Sequence, residues 1–211
     1  MGLTLGVLHE ALVTYHNKSD EEADLCQVAY CEMHPMVYFD VGTKYGIPFG
    51  RVIVELHQNA QPKLVEHFLQ LCIGISRGSR TKSLSYRNAR ICSLDAKQKT
   101  LLVGNVENGR ATFVPSSLGG VEVMADPQRT ALRAFKGGSL VLLPFSFDSN
   151  RFSSLFYFYL GDEREINDGL VVGKIVEGHS LLSNLISDYS SPAGNLLKKK
   201  GELRIVNCGR L

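Results

Sequence analysis

Apolar and polar positions alternate from Val37 to Val41, with Val37, Phe39 and Val41 separated by Tyr38 and Asp40. A period of two is the mark of a half-buried strand. Tyr45-Gly46-Ile47-Pro48-Phe49-Gly50 supplies the Gly and Pro of a turn, and Arg51 to Leu56 reads as the returning strand of a hairpin. The period then changes. Leu64, Val65, Phe68, Leu69 and Cys72 recur at helical spacing, Pro62 stands where a first helical residue needs no N–H, and Gly74 stops the run. Further on, Gly137-Gly138-Ser139-Leu140 opens a strand. Ser154 to Leu160 is a strand by its aromatic content. His179 to Ile186 follows Gly178 as a second short helix. Before all of this, Leu5, Leu8, Leu12 and Tyr15 form an apolar stripe at helical spacing, which Asn17-Lys18-Ser19-Asp20 breaks.

The chain's 211 residues suffice for one substantial core. Its 44% hydrophobic and 21% charged content is that of an ordinary globular protein, and a net charge of +2 makes no electrostatic case for nucleic acid or membrane as the main partner. No stretch reaches the ~20 apolar residues of a membrane span. Met1 to Tyr15 lacks the basic start and small-residue cleavage site of a signal peptide. Five irregularly spaced cysteines argue against a disulfide framework and for a reducing, intracellular setting, cytoplasmic or nuclear. Cys26, Cys31 and His34 are too few and too irregular for a zinc finger, so no metal or cofactor is expected. The motifs of serine hydrolases, zinc peptidases, P-loop enzymes and dinucleotide-binding folds are all missing.

Several motifs together carry a family resemblance. Val37, Phe39, Asp40 and Val41, then Gly50, Arg51, Val52, Glu55 and Leu56, then Pro62, Lys63, Phe68, Leu71, Cys72 and Gly74 follow the opening of a cyclophilin, V-x-F-D-(I/V)…G-R-(I/V)-x-x-E-L…P-K-T-x-x-N-F-x-x-L-C-x-G. Val172-Gly173-Lys174-Ile175-Val176-Glu177-Gly178 resembles that family's F-G-x-V-(V/I)-E-G, and Ile205-Val206-Asn207-Cys208-Gly209-Arg210-Leu211 resembles its I-x-(D/N)-C-G-x-L ending. The resemblance implies a mostly β fold: a closed, eight-stranded antiparallel barrel over residues 37–211, capped by two helices. Residues 1–36 would add an N-terminal helical extension. It also implies peptidyl-prolyl isomerisation, in which one arginine bonds the prolyl carbonyl and nitrogen beside an apolar pocket.

The chemistry of that resemblance is degenerate in this chain. Counting from Tyr86, Ser93 falls at the arginine, and a hydroxyl cannot supply a fixed, charged fork of donors. Leu101 or Leu102 falls at one glutamine and Leu155 at the other. Ile166 replaces the tryptophan and Leu170 the histidine. The expectation is a non-catalytic interaction module, a scaffold or adaptor that meets another protein or an extended peptide. The alternative is a weak or altered isomerase using Arg90 or Arg151. Candidate partner-binding residues are Leu5, Leu8 and Leu12 on the N-terminal stripe, which could dock a partner or pack on the barrel's flank. Phe145, Phe147 and Phe152 are further candidates, in a segment that is a surface loop in the family, where they would either fill in the groove or face a partner.

Overall fold

Eight strands close into a barrel. The computed structural model describes residues 34–59, 61–75, 84–104, 132–144, 152–190 and 203–211. The strands are β1 (Met36–Thr43), β2 (Pro48–Leu56), β3 (Arg90–Asp95), β4 (Thr100–Gly104), β5 (Ser139–Pro144), β6 (Phe152–Tyr159), β7 (Leu170–Glu177) and β8 (Leu203–Arg210), with helices α1 (Pro62–Ile73) and α2 (His179–Tyr189). Around the barrel they run β1-β2-β7-β5-β6-β4-β3-β8 and back to β1. Every pairing is antiparallel. This is the closed barrel with two helices that the sequence predicts.

Alternation sends one set of side chains inward. Val37, Phe39 and Val41 of β1 and Val52, Val54 and Leu56 of β2 are fully buried. Helix α1 presents Leu64, Val65, Phe68, Leu71 and Cys72 to the same core and ends at Gly74, whose φ of 103° favours a residue without Cβ. The rings of Phe39, Phe68, Tyr86 and Phe158 surround Phe156, with centroids 5.5, 5.2, 4.9 and 5.4 Å from it. Each such pair adds about 0.5–1.5 kcal/mol beyond burial. Helix α2 starts at Gly178, with φ 90°. A Cβ there would lie 2.7 Å from the carbonyl oxygen of Arg51, so both conformation and space demand glycine.

One expectation reverses on β6. Phe152 opens the strand, 7% exposed, and belongs to the main core rather than to a partner-facing loop. The reason is phase: Phe152, Ser154, Phe156 and Phe158 share the inner face, and Leu155, Tyr157 and Tyr159 take the outer one. Phe145, Phe147, Arg151, Leu5, Leu8, Leu12, Cys26 and Cys31 lie outside the described residues.

Candidate functional site on the outer barrel face

Strand register lines up a row of outward side chains across five strands. Ser93 of β3 faces Leu102 of β4, Leu102 faces Tyr157 of β6, Tyr157 faces Val141 of β5, and Val141 faces Val171 of β7. Of the predicted site residues, Ser93 stands at the end of this row. Of the two leucines counted for the first glutamine, Leu102 is half-buried and outward, while Leu101 is fully buried in the core. Leu155 is half-buried on the same face, and its Cδ2 would lie 2.2 Å from a Cβ on Gly104.

A bulge shapes the β3 end. Ile91 pairs with Val103 and Ser93 with Leu102, so Cys92 is an extra residue. Two consecutive residues, Cys92 and Ser93, therefore stand between the inward Ile91 and Leu94. Cys92 is exposed. Desolvation raises its pKa, and the Gly104 backbone hydrogen bond and Arg90 oppose that shift without overturning it. The thiol therefore stays protonated at neutral pH, which leaves no activated nucleophile here.

The β5–β7 side of the face is already covered. Leu132, Phe135 and Ile166 pack with Ala134, Val141, Tyr157, Tyr159 and Val171 as a second apolar cluster. Leu132 bridges Val171, and the Ala134 N–H donates to the Arg164 carbonyl at 2.8 Å, tying the two covering segments together. The Tyr157 hydroxyl donates to Asp168 Oδ1 at 2.7 Å. Burial, then that hydrogen bond and the carboxylate's charge, hold the phenol well above its ordinary pKa, so it stays protonated and donates to the carboxylate. Arg164 lies over the Tyr159 ring at 4.7 Å.

The predicted site residues thus separate. Ser93, Leu155 and Ile166 lie on the outer face. Leu170 packs against the main core instead, and its outward neighbour on β7 is Val171. The sequence did not single out Tyr157 with Asp168; an aromatic at an outward strand position followed by an acid in the next loop was the available signal. Among the described residues no group of three acidic, histidine or cysteine side chains could hold a metal ion. Beyond that cover the face carries exposed Cys92 and half-buried Ser93, Leu102 and Leu155, with Leu102 packed against the second cluster. Its nearest arginine on β3 is Arg90, exposed at the strand's first position.

The comparisons with known proteins agree with this architecture. The family model described as cyclophilin type peptidyl-prolyl cis-trans isomerase/CLD matches residues 38–210. Peptidyl-prolyl cis-trans isomerase D of Kluyveromyces lactis is 27% identical over 183 residues, which are 85% of this chain and 47% of that protein. The chain therefore spans about half the length of this curated relative. The crystal structure of the Mimivirus cyclophilin superposes with a TM-score of 0.65 at 22% identity, covering 86% of this chain and 91% of that one.

Proposed function

We propose that the chain, which belongs to the cyclophilin-type peptidyl-prolyl cis-trans isomerase family, is a member that holds a protein or extended peptide without isomerising it. It would act as a scaffold or adaptor in a complex. The observation that carries this reading is the outward row Ser93, Leu102, Tyr157, Val141 and Val171, which has no cation in it. Amide rotation has a barrier of ~18–20 kcal/mol, set by resonance. Lowering it requires a donor that meets the prolyl group in its twisted state, because only interactions stronger there than in the ground state speed the reaction. A leucine-lined strip with a serine at its edge binds both states alike. Such a strip suits uniform binding, which is what an adaptor needs. The thiols of Cys72, Cys92 and Cys208, none of them in a disulfide, support an intracellular setting.

A second reading keeps the reaction. Arg90 shares the outer face with Ser93, three positions along a bulged strand, and a long side chain there could reach toward Leu102. One assay separates the two. The purified chain is mixed with a chromogenic Xaa-Pro peptide, and relaxation from cis to trans is followed at low temperature. The adaptor reading expects the uncatalysed rate at every protein concentration. Turnover that rises with protein and disappears in Arg90→Ala would establish the altered enzyme instead.

A further inference from the structure

We propose that Arg90 and Arg204 form an oxyanion site on the outer face, and that the oxyanion is an acidic side chain of a bound peptide. Arg90 of β3 pairs directly with Arg204 of β8. The Ile205 N–H donates to the Ala89 carbonyl at 2.9 Å, which makes Arg90 and Arg204 a non-hydrogen-bonded pair, the type in which facing side chains come closest. Both point outward, since Ile91, Leu203 and Ile205 beside them are buried.

Two like charges directly opposite each other destabilise a sheet. Here nothing among the described residues offsets them: neither arginine has an ion pair with a described carboxylate. Arg204 Nε is in addition buried without an acceptor. A buried donor without a partner is costly to keep. A carboxylate or phosphoryl group seated between the two guanidinium forks would neutralise the repulsion and give Nε its acceptor, through the two-pronged geometry that suits arginine. The neighbours in the row are Gly42 beside Arg204 and Gly104 beside Arg90, so no flanking side chain rises from those two positions. Leu155 lies just beyond, over Gly104, which places the pair beside the leucines of the outer face. A peptide seated on Ser93, Leu102 and Leu155 could deliver an acidic residue to it. The choice of a peptide as host of the oxyanion rests on the proposed function; the site itself does not.

The test uses the full chain, with inorganic phosphate as first probe against chloride at equal ionic strength. The wild type should gain about 3–6 °C in Tm at a tenfold excess over Kd. Arg90→Gln should have a higher Tm than wild type in chloride and no response to phosphate, and Arg204→Gln should lose the response as well. Lys63→Gln, at an exposed position of α1, should keep it. An equal phosphate response in Arg90→Gln would overturn the site, and so would a fall in that variant's Tm in chloride. Arg90 is exposed, so this variant tests the idea even if Arg204→Gln does not fold. In the second arm, peptides carrying one Glu, one phosphoserine or one Gln at the same position are compared with an oligothymidylate. Glu or phosphoserine binding above Gln, lost in Arg90→Gln, supports the peptide and tells carboxylate from phosphoryl. Tighter oligothymidylate binding that depends on Arg90 would overturn the peptide and assign the site to nucleic acid.

Discussion

Replacing His67 with leucine should stabilise the protein, and by a larger margin in acid than at neutral pH. His67 lies on the inner face of α1 with Leu64, Phe68 and Leu71, and is only 9% exposed. Neither ring nitrogen has a hydrogen-bond partner. A polar group buried in that way costs about 1–3 kcal/mol on scales drawn from protein variants. Leucine fills much of the same space with apolar atoms and is a better helix former by a few tenths. The expected gain at pH 7.5 is about 1–3 kcal/mol, or about 2–12 °C in Tm for a chain of this size. Burial also lowers the imidazole pKa below its ordinary value. The unfolded chain protonates this histidine near ~6.5, and the folded one does so only at lower pH. Between the two values the unfolded state holds more protons, so stability rises with pH. It is fully present above ~6.5 and falls away below that, at no more than ~1.4 kcal/mol per pH unit for one proton. Leucine abolishes that slope. Carboxylates elsewhere add their own acid slope, so the quantity to measure is wild type minus variant, from urea unfolding at pH 7.5 and 5.5. A variant less stable at both pH values would refute the reasoning, as would a difference that does not widen at pH 5.5.

Two further substitutions test the packing. Gly178→Ala combines a left-handed φ with a Cβ 2.7 Å from a backbone oxygen, and should cost at least about 1–2 kcal/mol from the backbone alone; an unchanged urea midpoint would contradict it. Tyr157→Phe removes the hydroxyl that donates to Asp168 and should cost about 0.5–1.5 kcal/mol, with Asp168→Asn non-additive to it in a double-mutant cycle; full additivity would mean that the bond contributes nothing in solution.

What could be read from the chain without coordinates divides along physical lines. The hairpin, the Pro62 helix and the helix after Gly178 were legible because short-range periodicity and turn residues decide them. The helices predicted from Pro62 to the stop at Gly74 and from His179 to Ile186 are observed at Pro62–Ile73 and His179–Tyr189. Ser93 and Leu155 could be singled out by counting from flanking landmarks, and both lie on the outer face of the barrel. Register was not legible. Nothing in Arg90 to Asp95 announces that Cys92 is an inserted bulge residue, that Leu102 rather than Leu101 faces out, or that Arg90 meets Arg204 from a strand more than a hundred residues away. Phe152 was misplaced because a loop boundary and a strand start differ by only a residue or two, and that difference decides which face an aromatic takes. His67 went unnoticed because a polar residue on an apolar helix face breaks the pattern without saying whether it is covered.

The closing seam of the barrel has a bearing on how the protein is made. Strand β8 lies between β1 and β3, and Val37 pairs with Arg210. A ribosome releases the chain from its N-terminal end, so β1 and β3 emerge long before their common neighbour exists. Through that interval both present unpaired backbone edges, which recruit strands from other chains. Contacts so distant in sequence also form slowly. Newly made chains therefore depend on what shields those two edges until residues 203–210 are released. A nascent chain stalled short of β8 is an open sheet, with the aggregation hazard that the finished ring removes.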